Sequence, residues 1–445
     1  MKFYSKNKYL IAIFILFGYF LFQSVSLIFD TGYGVPPDEV FHFNQINNYY
    51  NSPNIFLADS DILVLDNPDI APAPMKTALY GTFGKAFFFY HWLMGKVLHF
   101  NFFDVDKVVF LRFVSLILTS IYLLYFYKLS KLFFKNKLLV IFAFLIHTNI
   151  PMFVFMSSAI SYDSLANLFA ILSLFYVFKN INNFNIKYLL LALIFILLGT
   201  LTKISFLPLS FLLVCLLVYE SIKNNFFVKF KDFFSRSKYK AIILSIFIFL
   251  LIFINLFIFF SNYYKYNNFV PSCEDIYSAQ QCLDEHYLYK RTLDFQKDWT
   301  EPVNSITSFF NYTVGWYKAM IIRTFGYIGH ESIEPPGEKI FFVNLSLMLF
   351  LFFFVRKAIL ANKKILYAGV IFFLYLVSLL FTNYSYYLES GHPRASIQGR
   401  YSFPVISLLI IFFSYYVLFF VPKKIRMLII FLFFYLIYIF NHFLF

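Results

Sequence analysis

Eleven long apolar runs constrain the fold of this chain more than any other feature. A helix needs about 20 predominantly apolar residues to cross a bilayer. The runs lie at 9–29, 108–127, 138–156, 163–178, 188–202, 204–222, 241–261, 340–355, 365–382, 399–421 and 427–444. Only helices or closed barrels satisfy the backbone inside lipid. The pattern therefore predicts an all-α integral membrane protein with about eleven transmembrane helices.

The composition agrees with a membrane protein. Hydrophobic residues make up 60% of the 445 positions and charged residues 13%. A soluble protein cannot bury that much apolar side-chain surface. The first run is too long for a removed signal peptide and lacks a small-residue cleavage motif, so we interpret it as an anchor.

The basic residues predict which side of the membrane each loop occupies. Alternate short loops, together with the N-terminal tail, hold 22 of the 37 lysines and arginines but only Glu220 and Asp232 among the acids. Basic loops stay cytoplasmic. We therefore expect a multi-pass membrane protein with a cytoplasmic N-terminus and an active site facing outside. The net charge of +14 then reflects topology and anionic lipid, and no nucleic-acid partner is expected.

Two long segments fall on the outer side of this map, at 30–107 and 262–339. We divide the chain into an N-terminal membrane module (1–261, with the first outer loop 30–107), an outer loop region (262–339) and C-terminal transmembrane helices (340–445). Residues 84–100 predict an amphipathic helix on the membrane surface. Cys273 and Cys282 lie in the second outer segment, where the compartment permits a disulfide. No nucleotide-binding motif is present in the sequence.

The stretch VPPDEVFHFNQ, directly after the first span, carries two adjacent carboxylates, Asp38 and Glu39. Pro36 and Pro37 stiffen the chain there. One interpretation is an acidic cap at the start of an interfacial helix. The other is an acid/base pair at a membrane-surface active site, with His42 one helical turn further on. The local pattern leaves both open.

Further ionisable and polar residues map to the same outer face. Asp163 begins the fourth span, where it could cap the helix or belong to a site, since ionisable groups in spans are often functional. Lys203 interrupts a run and could bind phosphate or snorkel, which is also the default interpretation of Arg112. Guanidinium groups fit phosphate bidentately. The remaining candidates are Arg323, Arg394 and Arg400 for anion binding, and His330, Gln398 and Tyr401 for substrate binding.

Four segments carry a family resemblance: PPDEVFHF, PMFVFMSSAISYDSLANLFA, LTKISFLPL and QGRYSFPVI. In this order they resemble an uncharacterised bacterial multi-pass family, a domain of unknown function grouped with the GT-C glycosyltransferases. GT-C enzymes use polyprenyl-phosphate-linked sugars at the outer leaflet and carry an acidic motif in the first outer loop. The resemblance implies a GT-C-like bundle, with catalytic Asp38 and Glu39 and a second-loop acid at Asp163.

The activity that this resemblance implies is sugar transfer to an acceptor hydroxyl of a cell-envelope glycan or glycolipid, with inversion. Asp38 would act as the base and Arg400 would stabilise the phosphate leaving group, with Lys203, Arg323 and Arg394 as further candidates. A divalent ion (Mg²⁺ or Mn²⁺) on Asp38 and Asp163 could share that task. The alternative from outside the enzyme class is a transporter or flippase of lipid-linked glycans. A third hypothesis, within the enzyme class, is an O-antigen-type polymerase or ligase.

Overall fold

The computed structural model describes residues 2–52, 89–285, 293–294, 306–325, 362–391 and 397–420. The described part is helical, with two 3₁₀ turns at Ile204–Phe206 and Gly399–Ser402. Its α-helices are α1 (Lys2–Asp30), α2 (Glu39–Asn51), α3 (Phe89–Leu98), α4 (Lys107–Phe133), α5 (Lys137–Thr148), α6 (Pro151–Ser157), α7 (Tyr162–Asn182), α8 (Ile186–Thr202), α9 (Leu207–Lys223), α10 (Phe226–Arg236), α11 (Lys238–Tyr266), α12 (Ala279–Glu285), α13 (Ile306–Phe325), α14 (Lys363–Ser390) and α15 (Phe403–Phe420).

Six described helices are long and apolar enough to cross a membrane, or seven if one bent pair counts as a single span. They match the expected runs in α1, α4, α7, α9, α11 and α14. The expected run 188–202 forms the shorter apolar helix α8, and 399–421 begins with a 3₁₀ turn. The runs 340–355 and 427–444 lie outside the described residues. The all-helical membrane architecture is confirmed, while the number eleven stays a prediction.

The expected span 138–156 is broken rather than continuous. Helices α5 and α6 meet at an angle of 68° across Asn149 and Ile150. Pro151 occupies the first turn of α6, where its missing N–H costs no hydrogen bond but where it cannot continue α5. The Asn149 side chain donates to the Leu145 carbonyl at 2.8 Å and so satisfies an acceptor at the end of α5.

Helix α7 is the centre of the bundle. In its apolar stretch 83% of the residues are buried, whereas the figure for α11 is 6%. A helix that is apolar all round is stable either inside a bundle or in lipid, and these two helices represent the two cases. Helices α4 and α8 pack along α7. Because Asp163 lies in the first turn of α7, it is held at the end of the most enclosed of the six described candidate spans.

Helices α2 and α3 pack against each other at the same end of the bundle as Asp163. A Cβ at Gly95 would lie 2.9 Å from the Tyr49 backbone, so this close approach requires glycine. Lys96 donates to the carbonyls of Tyr49 and Ser52 at 2.9 and 2.8 Å and caps α2. The surface helix expected over 84–100 is described from Phe89, and it buries Tyr90 against the bundle, while its position on the membrane surface stays a prediction.

The disulfide between Cys273 and Cys282 is present. It links the segment that follows α11 to Cys282 within α12, and both cysteines are buried. The expectation of a bond here is confirmed.

Candidate functional site

Charged side chains from four distant segments meet where α7 begins. They are Asp38, Asp163, Lys203 and Arg400, which we call the acid–base cluster. Asp38 precedes α2, Asp163 lies in α7, Lys203 follows α8, and Arg400 lies in the 3₁₀ turn before α15. Sequence analysis placed all four on one face of the membrane, and the structure brings them into direct contact.

Arg400 is the central cation of this cluster. Its Nη2 lies 2.5 Å from Asp38 Oδ2, and its Nε lies 3.6 Å from Asp163 Oδ2. Its Nη1 donates to the Pro37 carbonyl at 3.3 Å. The Arg400 side chain is 2% exposed. Removing a guanidinium from water is costly unless carboxylates compensate, and Asp38 and Asp163 provide that compensation.

Asp163 and Lys203 form the second ion pair, 2.5 Å apart. The Lys203 ammonium also lies 4.6 Å from the ring centre of Tyr162 and 4.5 Å from that of Tyr401, an arrangement that favours a cation. Ser161 caps α7 by accepting from the Asp163 N–H at 3.2 Å. Asp163 is therefore not the cap itself, and its carboxylate faces the two cations.

Asp38 differs from the other acids in exposure and in backbone conformation. Its side chain is 31% exposed, whereas that of Asp163 is 4% exposed. Its φ of 61° lies in the left-handed region, which costs a non-glycine residue energy but which aspartate tolerates better than most. It occupies the N-cap position of α2 without a capping hydrogen bond from its side chain. The carboxylate is directed to Arg400 instead.

Glu39, the neighbour of Asp38, is held inside the protein and has a structural role. It is fully buried and accepts two hydrogen bonds from Arg112, Nε to Oε1 at 2.9 Å and Nη2 to Oε2 at 2.7 Å. The backbone N–H groups of Gly34 and Ile160 donate to the same carboxylate at 3.1 and 3.2 Å. Snorkelling, the default interpretation of Arg112, is wrong, because the Arg112 side chain is 3% exposed.

Two histidines lie behind the acid–base cluster. His42 Nδ1 lies 2.8 Å from His91 Nε2, so one ring donates to the other and joins α2 to α3. The His42 ring packs edge-on against Tyr162 at 4.5 Å. Burial lowers the pKa of His91 to about 3. Burial also lowers the pKa of His42 well below its usual value, with further lowering by His91, Arg400 and Lys203. Both rings are neutral at neutral pH.

The arrangement of the carboxylates also bears on a divalent ion at Asp38 and Asp163. Both carboxylates contact the guanidinium of Arg400, and a metal ion between them would have to displace that charge. Among the described residues, no three His, Cys, Asp or Glu side chains converge as metal ligands. These side chains therefore do not fit a metal ion in this arrangement.

The sequence of this chain matches the model of one protein family. The model of the predicted membrane protein family DUF2142 matches residues 97–409, well over half of the chain. The chain belongs to the DUF2142 family. No curated protein and no solved structure matches it.

The DUF2142 match contains three of the four residues of the acid–base cluster and also Arg112. Asp38 and Glu39 precede the matched stretch. The partners of these two acids, Arg400 and Arg112, are therefore DUF2142 residues, whereas the acids come from the preceding segment.

The other predicted site residues of this DUF2142 protein are placed as follows. Arg323, at the end of α13, donates to the Ile397 carbonyl and so holds the chain just before Arg400. Tyr401 lies over Lys203, and Gln398 is the N-cap of the 3₁₀ turn that carries Arg400. Arg394 and His330 lie outside the described residues.

No pattern in the sequence assigns a site role to Arg112, His91, Tyr162 or Tyr375. Tyr375 donates to the Tyr401 carbonyl at 3.0 Å and so supports the turn beneath Arg400. One signal was available for Arg112, since an arginine near the end of an apolar run needs a carboxylate partner or a path to water. The sequence does not show which of the two applies.

Proposed function

We propose that this protein is a membrane glycosyltransferase that moves a sugar from a polyprenyl-phosphate donor to an acceptor hydroxyl of a cell-envelope glycan or glycolipid. The observation that supports it best is the setting of Asp38. Its carboxylate is partly exposed and is bound to the buried side chain of Arg400, and its backbone is held in the left-handed conformation. Strained backbone and buried charge next to solvent are typical of catalytic sites.

Asp38 would act as the general base. As the acceptor oxygen attacks the anomeric carbon, its proton passes to the Asp38 carboxylate and the bond from that carbon to the phosphate oxygen breaks. The lipid phosphate leaves as an anion, and the configuration at the anomeric carbon inverts. Of the two acids in the DE pair, only Asp38 has a side chain that reaches solvent, so we assign the proton transfer to Asp38 and a supporting role to Glu39.

The leaving phosphate needs positive charge more than it needs a proton. Arg400 is the best candidate, because it directly contacts Asp38 and because a guanidinium can bind two phosphate oxygens at once. Lys203 is enclosed by Asp163 and two tyrosine rings. In this proposal Lys203 keeps Asp163 ionised and so holds Arg400 in place. No step involves a metal ion.

Comparative mass spectrometry of envelope glycans tests this function. Cells would carry the wild type, Asp38→Asn, Glu220→Gln or no protein, at matched expression. Glu220 forms an ion pair with Lys363 far from the cluster and serves as the control. We expect one sugar mass to disappear in the deletion and the Asp38→Asn strain and to persist with Glu220→Gln. A glycan that Asp38→Asn leaves intact while the deletion changes it would overturn the assignment.

One observation favours a second candidate, a transporter or flippase of lipid-linked glycans. Transporters often contain broken helices near the substrate, and the α5–α6 pair is bent by 68° at Pro151. The same glycan experiment separates the two functions, because a transporter does not require a proton acceptor at Asp38.

A further inference from the structure

The charges around the acid–base cluster balance. Counting the neighbouring pair, the carboxylates of Asp38, Glu39 and Asp163 face the cations of Arg112, Lys203 and Arg400. An anionic substrate that entered this cluster would add a negative charge, and each of these three cations is already paired with a carboxylate. Such a ligand binds well only if one of the carboxylates gives up its cation, since an uncompensated charge in a poorly hydrated site is costly.

Exposure indicates which carboxylate can leave. The side chains of Glu39 and Asp163 are 0% and 4% exposed, and that of Asp38 is 31% exposed. Glu39 is held by Arg112 and by two backbone N–H groups. Asp38 can exchange its ion pair for water with little rearrangement, whereas the other two acids would have to leave the protein interior.

The donors of Arg400 are suited to such an exchange. A guanidinium has five N–H donors. Those of Arg400 contact Asp38 through Nη2 and the Pro37 carbonyl through Nη1, while Nε has no hydrogen-bond partner and lies 3.6 Å from Asp163. If Asp38 moved away, Arg400 could present a fork of N–H groups to an oxyanion and still be held by Pro37 and Asp163.

Resting on the proposed function, we infer that Asp38 occupies an oxyanion site on Arg400, and that the phosphate of the donor binds there by displacing the Asp38 carboxylate. The exchange couples binding to catalysis. Without the donor, an oxygen of Asp38 is hydrogen-bonded to Arg400 and is not available to accept a proton. Once phosphate replaces it, the carboxylate is free to receive the acceptor proton. Asp38 and the phosphate are thus competitors for one cation.

Binding measurements on the purified full-length protein in detergent test this competition without any transfer reaction. The probes are farnesyl monophosphate, inorganic phosphate and farnesol, which lacks the phosphate. We expect Asp38→Asn and Asp38→Gly to bind farnesyl monophosphate about tenfold more tightly than the wild type, because the internal competitor is gone. Asparagine and glycine both tolerate the left-handed backbone, so the two variants check each other.

Arg400→Lys should bind the same probe about tenfold more weakly, because it lacks the guanidinium fork. Glu220→Gln should bind like the wild type, and farnesol affinity should be the same in all variants. Binding of farnesyl monophosphate alone identifies a lipid phosphate as the ligand, and equal binding of inorganic phosphate identifies the free anion. Unchanged or weaker phosphate binding in both Asp38 variants would overturn the exchange.

The binding measurements test the exchange, and the measurements of sugar transfer test the proposed function, so either proposal can fail without the other. If the Asp38 variants bind phosphate more tightly but no sugar transfer is found, the oxyanion site stands and the transferase does not. If transfer depends on Asp38 but the variants bind phosphate no better, the transferase stands and the exchange does not.

Discussion

Arg112 holds Glu39 through two parallel hydrogen bonds of 2.9 and 2.7 Å, and both side chains are buried. The guanidinium also donates to the carbonyls of Ile28, Thr31 and Gly32, at 2.9, 2.7 and 3.1 Å. This pair therefore fastens the end of α1 and the start of α2 to α4. Asp38, one residue earlier, makes an ion pair at the solvent boundary.

We expect Glu39→Gln to destabilise the protein much more than Asp38→Asn does. The glutamine leaves the Arg112 charge buried without its carboxylate, which typically costs about 3–5 kcal/mol. Unfolding of both variants in detergent, followed by circular dichroism against denaturant, measures the difference. Equal stability of the two variants would show that Glu39 does not have the structural role assigned to it.

The left-handed backbone at Asp38 predicts an order among its substitutions. Asp38→Asn and Asp38→Gly should be more stable than Asp38→Ala, because alanine at a φ of 61° costs about 1–2 kcal/mol. All three should lower turnover by about 10²–10⁴-fold if Asp38 is the base. Stability and glycan transfer measured on the same preparations separate the two effects. An alanine variant as stable as the glycine variant would argue against a strained turn.

Lys203 and Asp163 should depend on each other for stability. Lys203→Met leaves Asp163 buried with only the more distant Arg400, and Asp163→Asn leaves the Lys203 charge without its main partner. Each single change should cost about 3–5 kcal/mol. The double variant should be less destabilised than the sum of the two, and the excess in a double-mutant cycle measures the coupling. Simple additivity would contradict direct pairing.

The neutral histidine pair predicts loss of stability in acid. In the unfolded chain the histidines have their usual pKa of 6.5, whereas in the folded protein the pKa of His91 is about 3 and that of His42 is also lowered. Between these pH values the unfolded chain binds more protons than the folded protein. The contribution of the two histidines to the free energy of unfolding is therefore fully present above pH 6.5 and is lost as the pH decreases. The slope is at most about 1.4 kcal/mol per pH unit for each histidine.

Thermal midpoints measured from pH 7.5 downwards check this expectation. His91→Gln should flatten the dependence, because glutamine does not titrate and can still bond to His42. Protonated His42 would in addition face the cations of Arg400 and Lys203. The same slope with and without His91 would assign the acid sensitivity to other groups.

Gly399 should not tolerate alanine. A Cβ there would collide with the backbone of Arg323 and Thr324 in α13, directly beside Arg400. We expect Gly399→Ala to cost about 1–3 kcal/mol and to impair any activity that needs Arg400. Gly315→Ala is the matched control. Gly315 lies in α13, as do Arg323 and Thr324, and a Cβ at Gly315 would have no atom within 4 Å. This variant should leave stability unchanged or raise it by about 0.5–1 kcal/mol, since alanine favours helix.

Apolar runs and charge were sufficient to predict an all-helical membrane protein and the position of Asp38, Asp163, Lys203 and Arg400 on one face. These residues were found because charges in or beside apolar runs are unusual and because topology places them on one face. The individual pairs were not predictable. Which arginine binds Glu39 and which binds Asp38 depends on how helices pack over separations of 73 and 362 residues, and no local pattern encodes that.

The bend between α5 and α6 and the packing of α3 show a similar limit. Pro151 was visible in the sequence, but an apolar run that continues through a proline gives no indication of a 68° change in direction. The amphipathic pattern of residues 84–100 predicts a helix on the membrane surface. It does not predict that one side of this helix, with Tyr90, His91 and Met94, packs on the bundle.

The contact between Arg400 and the Pro37–Asp38 turn has a consequence for biogenesis. A ribosome makes residue 38 long before residue 400, and the helices enter the membrane in that order. Until the 3₁₀ turn of Gly399–Ser402 emerges, Asp38 and Asp163 lack the cation that they share. A chain interrupted before that point would have most of its helices inserted but no assembled site. The site can therefore assemble only after residue 400 has been made, late in the synthesis of the 445-residue chain.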